Sequence, residues 1–443
     1  MVPWPPNATG YECHGVPWPV WPPNATEYRG RLDRTRKIRH TRSSMTARLG
    51  SCIVVCGHLC LDLIPGFRAD TARDWSRPGR LSIVDAAVIA TGGAVPNVGL
   101  TLDRLGLPVR LIAKLGNDAM GNLTLDRLGG RDTEKTRGVR PVEGEVTSYS
   151  FVLNPPGVDR IFLHCPGAND TFTDADVDDS LLRDAAIFHF GYPPLMKGMY
   201  SDGGKSLERL LRRARAAGAL TSLDMALPDP ESASGRVDWA AYLARVLPYV
   251  DIFVPSVEEL FFMADRQGFA RLSAAGGGEA IIRGAAFSDL RRLADQAIDK
   301  GVRAVLIKLG DRGAYLRTGA AGLLHDRAWS QRELYTPIFS VPRVGGTTGA
   351  GDSTIAGFLA SVFKALPPEE ALTMGVAVGG CCVEELDAVS GIRTWEATRA
   401  RVAAGWARPT VALTEPGWSS LPSGIWKGPA DQRPESKTVA PTS

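Results

Sequence analysis

Residues 345–352 read GGTTGAGD and run without a break into STIAGFLASVF. The glycines let backbone N–H groups crowd around one point, and the helix expected to follow adds positive dipole at its start. That combination is a seat for an anion, most simply a phosphate. Asp352 stands at the joint between turn and helix. A turn that neutralises a phosphate beside a group able to take a proton points to phosphoryl transfer onto a hydroxyl. Other phosphate-binding turns fit less well. No GxxxxGK[ST] string occurs, so no lysine follows the turn as in a P-loop. The spacing GxxGxG departs from the GxGxxG dinucleotide fingerprint, and none follows the first expected strand, which argues against an oxidoreductase.

A second block lies near the other end. Residues 92–106 read GGAVPNVGLTLDRLG, and GNDAMG follows at 116–121. Taken in this order with TTGAGD, these blocks resemble the ribokinase family, the PfkB-type sugar kinases, over roughly residues 50–405. The resemblance implies an α/β fold: a ribokinase-like three-layer αβα domain with a mostly parallel central sheet and a small β-sheet lid. It implies ATP-dependent phosphorylation of a hydroxyl on a small polyol, foremost a sugar, with magnesium. A nucleoside kinase of the same fold and a catalytically weak sugar-binding pseudo-kinase are the alternatives.

The resemblance also assigns residues. Asp352 is implied to be the general base, and Gly349, Ala350 and Gly351 the anion hole, with Thr348 among the phosphate-binding residues. A side chain at Gly351 would crowd those N–H groups, and a positive φ is expected there. An aspartate near its ordinary pKa of ~3.9 is a weak base, so positioning and electrostatics would supply most of the rate. Asp62, in CGHLCLD, matches the aspartate that grips sugar hydroxyls, and its several lone pairs suit a polyol. Gly92 and Gly93 let the backbone approach that ligand; Asn97 offers both a donor and an acceptor, a helix cap being its local alternative.

Asp224, in SLDMALP, is implied to face the phosphates. In SVEE at 256–259, Glu259 matches a motif that orders magnesium, here indirectly, while Ser256 replaces the usual asparagine and is explained by helix capping alone. KLGDRG at 308–313 resembles a turn that meets ATP phosphates through Gly310 and Gly313; Lys308, in place of a small hydroxyl residue, either adds charge there or points to solvent. Gly346 stands where aspartate is usual, which argues against a monovalent-cation site. Tyr149, Phe151, His164 and Asn169 are candidates for acceptor specificity.

The elements that must position these residues follow from apolar patterning. Candidate strands are 52–56, 109–113, 186–190, 220–224, 251–254 and 304–308, and candidate helices 96–105, 205–217, 256–265, 288–300, 352–364 and 369–386. Predominantly apolar strands alternating with helices imply a mostly parallel sheet covered on both faces. Two stretches, about 63–91 and 145–165, hold strand-like segments without helices between them and are assigned as the lid. Residues 267–285, rich in Ala and Gly, read as a surface insertion.

Composition is that of an ordinary globular chain: 443 residues, 44% hydrophobic and 22% charged. The net charge of +3 is local. Residues 1–44 carry seven Lys/Arg against Glu12, Glu27 and Asp33, leaving the remainder at −1, so nucleic acid is not expected as a partner. No apolar run reaches ~18 residues, so no membrane span is expected. The seven cysteines include no CxxC pair; Cys52, Cys56, Cys381 and Cys382 read as small apolar core residues, and a cytoplasmic setting is expected. Residues 1–48, in which WPPNAT recurs at 4–9 and 21–26, are expected to be a disordered extension preceding a natural start at Met45. The kinase domain is placed at 49–412 and a disordered tail at 413–443. Exposed lid edges suggest a homodimer.

Overall fold

The computed structural model describes residues 50–432, apart from 68–77, 80, 132, 156–160, 412 and 414. Fifteen strands occur among them. In chain order they are β1 (Cys52–Gly57), β2 (Cys60–Gly66), β3 (Asp85–Gly92), β4 (Val109–Gly116), β5 (Gly138–Val142), β6 (Tyr149–Leu153), β7 (Ile161–Cys165), β8 (Ala185–Gly191), β9 (Leu220–Leu223), β10 (Ile252–Phe253), β11 (Ala304–Lys308), β12 (Ala314–Thr318), β13 (Glu333–Thr336), β14 (Ser419–Ser420) and β15 (Trp426–Lys427).

Eleven strands form one sheet in the order β14-β15-β13-β12-β11-β10-β9-β8-β1-β4-β5. The run from β5 to β11 is parallel, and β12, β13, β15 and β14 extend it antiparallel. Strand β1 shows why the central strands read as continuous apolar runs. Cys52, Val54 and Cys56 face one core and Ile53 and Val55 the other, so every residue is buried. The first core is closed by helices that include Lys205–Ala216, Trp239–Val246, Val257–Ala264 and Phe287–Asp299. The second is closed by Ala94–Arg104, Ala350–Phe363 and Pro368–Cys382. The result is a three-layer αβα domain.

The segments expected as a lid form a separate four-stranded sheet, β3-β2-β6-β7. It is joined to the large sheet at Gly57–Cys60, so β2 begins three residues after β1 ends. Some of its apolar side chains face solvent: Val88 on β3 and Phe162 and Leu163 on β7 are 45%, 55% and 56% exposed.

Two expectations are corrected, and the segment at 267–285 is resolved into helices. The tail expected from 413 is structured from 415 to 432, where β15 pairs with β13 and Trp418 packs at 4.6 Å on Phe287. Buried Asp431 there meets buried Arg332 at 2.9 Å. Two-residue strands flanked by Pro, Gly and Ser are too short to show a period. Residues 267–285, expected as a surface insertion, are mostly exposed and form two short helices, Arg266–Ser273 and Gly277–Gly284, anchored by buried Ile281. The positive φ expected at Gly351 belongs to Gly349 (φ 75), because the helix already starts at Ala350. The extension at 1–48, Met45 included, and the end at 433–443 lie outside the described residues.

Candidate active site

The carboxyl ends of adjacent parallel strands converge on one place. His58 follows β1, Tyr192 follows β8, Asp224 follows β9, Ser256 follows β10, and Lys308 ends β11. This is the edge where open α/β sheets place ligands. The start of the Ala350–Phe363 helix comes to the same edge. Its N-cap, Gly349, holds a left-handed conformation that a β-carbon would strain, and such an atom would also overlap Ala388. The first turn of a helix has N–H groups without intrahelical acceptors, and here that turn is Ala350, Gly351 and Asp352. Gly351 faces Lys308: a β-carbon there would lie 3.4 Å from its Cδ.

Asp352 is buried and held from two sides. Asn97 Nδ2, 255 residues earlier, donates to its Oδ2 at 2.9 Å. The Tyr192 hydroxyl donates to Oδ1 at 2.8 Å and Oδ2 at 2.9 Å. Burial pushes the Asp352 carboxyl above the usual range, against the downward pull of Lys308 and of the two donors. The helix block beginning Gly92-Gly93 and the TTGAGD turn are thereby brought into direct contact. Asn97 is buried in the Ala94–Arg104 helix, not at its cap.

Tyr192 gave no sequence signal beyond its place after a strand. Its φ of 66° and ψ of 42° are left-handed, rare for a bulky residue and worth about 1–3 kcal/mol of strain. It also precedes Pro193, which disfavours compact backbone.

Lys308 does not point to solvent. Its Nζ meets Asp224 Oδ1 at 2.6 Å, and both side chains are largely buried. Burial alone would lower the Lys308 pKa; Asp224, Glu259 and Asp352 more than reverse this, so the ammonium keeps its proton. Three carboxylates thus share one cation, an arrangement short of positive charge. Glu259 is partly committed: it accepts from the Ser256 N–H at 2.6 Å while Ser256 Oγ accepts from its N–H, a complete capping box. Gly310 and Gly313 bracket the short turn that joins β11 to β12, and Thr348 lies in the turn before Gly349.

Asp62 lies in β2, on the lid sheet. Its carboxylate packs on Gly92, where any β-carbon would overlap it, and accepts from the Cys60 thiol at 3.3 Å. Burial raises its pKa to about 6, against the opposing pull of Cys60 and Ser150. Ser150 in turn pairs with His164 Nδ1 at 2.9 Å. His58 packs against Gly93 and lies 5.3 Å from the His164 ring; burial, then the His164 charge, lowers its pKa to about 3, so it is neutral. Both His58 ring nitrogens, Asn97 Oδ1 and Asp224 Oδ2 are buried without a hydrogen-bond partner among the described residues. Buried polar atoms in that state are the natural contacts of a polar ligand. Of the specificity candidates, His164 belongs to this group. Asn169 does not: its amide is spent on the backbone N–H and C=O of Leu59. Phe151 is exposed, edge-on to Tyr149.

The pattern described as the pfkB family of carbohydrate kinases matches residues 53–395. The chain belongs to this family. Among its relatives, the 2-dehydro-3-deoxygluconokinase of Bacillus subtilis is 25% identical over 69% of this chain and 84% of its own length. The fructokinase-2 of Oryza sativa subsp. japonica is 26% identical over 69% and 83%. In fold, this pfkB-family chain is similar to an Arabidopsis thaliana ribokinase solved with ribose and ATP (TM-score 0.60, 20% identity, 80% of this chain and 98% of that one). It is equally similar to an E. coli protein solved with ATP and magnesium (TM-score 0.60, 19% identity, 80% and 99%). Among the described residues, no helix is long and apolar enough to cross a membrane, and no group of three or more His, Cys, Asp or Glu could hold a metal unaided.

Proposed function

We propose that this carbohydrate kinase transfers the γ-phosphoryl group of ATP to a hydroxyl of a small sugar, with Asp352 as general base. The observation that carries this reading is the 2.9 Å bond between Asn97 and the buried Asp352. It joins the polar floor under the lid to the helix start that would seat the phosphoryl group, so acceptor and donor meet at one carboxylate.

Asp62, Asn97 and the Gly92-Gly93 backbone bind and orient the acceptor. Asp352 takes the proton of the attacking hydroxyl; burial raises its pKa toward the working range of a base. The N–H groups at Gly349, Ala350 and Gly351 stabilise negative charge on the transferring group. Asp224, Lys308, Thr348 and the Gly310–Gly313 turn meet the nucleotide. The surplus of carboxylate around Lys308, with the unpartnered Asp224 Oδ2, fits magnesium arriving on nucleotide phosphates, with Glu259 acting at one remove. Bound there, magnesium would neutralise phosphate charge. A monovalent cation is not part of this reading. Gly346 has no carboxylate to offer, and a β-carbon there would come within 2.8 Å of the Leu386 carbonyl.

The apolar side chains exposed on the edge strands of the lid support a second copy of this chain as a partner. The free, mostly buried thiols of Cys52, Cys56, Cys60, Cys381 and Cys382 are in keeping with a cytoplasmic setting. One feature favours the pseudo-kinase reading: the Lys308–Asp224 ion pair ties up two groups that would serve the nucleotide. An ADP-release assay over ketoses, pentoses, sugar acids and nucleosides decides. Turnover with a sugar is expected; binding of sugars and ATP with no ADP released from any acceptor overturns the reading.

A further inference from the structure

We propose that Tyr192 is a positioning residue for the transfer step, its phenol holding the Asp352 carboxylate in the orientation from which it receives the acceptor's proton. The inference rests on Asp352 being the base. The terminal torsion of an aspartate is soft, so the direction of its lone pairs has to be imposed by neighbours. Two neighbours impose it here, from separate elements. Asn97, in the helix after the Gly92-Gly93 turn, pins Oδ2 at 2.9 Å. The Tyr192 hydroxyl bridges Oδ1 and Oδ2 at 2.8 and 2.9 Å and closes off rotation.

The backbone is distorted to put that hydroxyl in place. Strand β8 ends at Gly191, Tyr192 takes a left-handed turn, and Pro193-Pro194 leads the chain away. Strain at a bulky residue persists where the surroundings over-determine it, and it gathers at functional sites. The phenol is also too poor an acid to release its proton: burial, then Asp352 and Asp224, raise its pKa well above the usual value. It therefore stays a donor at every working pH.

A donor to a carboxylate favours the ionised form, so Tyr192 lowers the pH at which Asp352 takes up a proton. The other charged or titratable groups facing Asp352 are Lys308 from β11, Asp224 after β9, Glu259 from the Val257–Ala264 helix and Cys382 from the Pro368–Cys382 helix. A change at Tyr192 leaves all four in place.

The experiment is the pH profile of kcat at saturating sugar and magnesium–ATP, for the wild type, Tyr192→Phe, and the protein carrying 3-fluorotyrosine at position 192. Tyr192→Phe keeps the ring and the turn. Its kcat is expected to fall roughly tenfold, with a smaller change in the KM for sugar. Its acid limb should move up by about half a pH unit or more. 3-Fluorotyrosine, a stronger donor, should move the limb the other way. A limb that stays in place in both variants, whether or not kcat falls, overturns the inference. Asp352→Asn, run beside them, separates the two readings: if it is inactive while the limbs stay fixed, only the role of Tyr192 falls, whereas an active Asp352→Asn removes the base and Tyr192's role with it.

Discussion

Asp62, proposed above to bind the acceptor, also carries a cost to the fold. Its pKa is raised to about 6 from 3.8, foremost by burial, so the folded protein holds the proton more tightly than the unfolded chain does. The ionised form is therefore the disfavoured one. The cost is absent below about pH 4, grows as the pH rises through 6, and reaches on the order of 3 kcal/mol. Asp62→Asn is expected to raise the Tm at pH 7 and to lose that advantage near pH 4; an unchanged or lower Tm at pH 7 contradicts this. Binding moves the opposite way. Asp62→Ala removes an acceptor worth roughly 1.5–3 kcal/mol, so kcat/KM for the sugar should drop about tenfold to a hundred-and-fiftyfold, mostly through KM. The KM for ATP should hardly move. If ATP weakens instead and the sugar is spared, the two halves of the pocket have been interchanged.

Lys308 and Asp224 are a second residue-scale case. Lys308→Met would strand a buried carboxylate beside Glu259 and Asp352, a loss of about 3–5 kcal/mol. Lys308→Met combined with Asp224→Asn should recover much of that in urea unfolding at pH 7. Equal stabilities for the single and double variants would show that the pair carries no structural weight.

At the scale of elements, the two glycines flanking Ala350 are expected to behave differently. Gly349→Ala forces a left-handed alanine against Ala388 and should lower the stability by about 1–3 kcal/mol or more. Gly351 has no positive φ, and a β-carbon there would lie in ordinary van der Waals contact with Lys308, 3.4 Å from its Cδ. Gly351→Val should therefore melt within a few degrees of the wild type yet lose tenfold or more in kcat, since it crowds the N–H groups at the helix start. Normal turnover in a folded Gly351→Val removes the anion-hole reading.

Strands and helices were legible where they are long and buried. Ala304–Lys308 matches its expected range because its first four residues are apolar and buried, as a doubly covered strand requires, and Lys205–Ala216 because its buried face recurs at helical spacing. The lid was legible as a break in that rhythm. What escaped was short or paired at a distance: β14 and β15 have two residues each and no period. Within the site, residue type pointed to Asn97 and Asp352 separately, but no local pattern shows that they touch. Tyr192 was invisible because its role comes from one turn and one hydroxyl. The only available hint was its position directly after a strand, on the edge where the other site residues gather.

The whole molecule sets an αβα domain beside a small sheet whose edge strands expose apolar side chains. Phe162 and Leu163, on alternate faces of the edge strand β7, and Val88, on the other edge strand β3, expose hydrocarbon along the lid edges and favour association there. Sedimentation of the wild type should give a dimer, and Phe162→Asp with Leu163→Asp a monomer. A wild-type monomer at micromolar concentration would contradict the lid as a meeting surface.

Asp352, proposed as the base, lies at the helix start and is held there by Asn97 and Tyr192. The direct measurement is single-turnover phosphoryl transfer by Asp352→Asn, with sugar and ATP affinities measured alongside. Loss of the carboxylate is expected to slow transfer by about 10²–10⁴ while both ligands still bind. A variant that binds both and retains more than about a tenth of the wild-type rate would contradict Asp352 as the base.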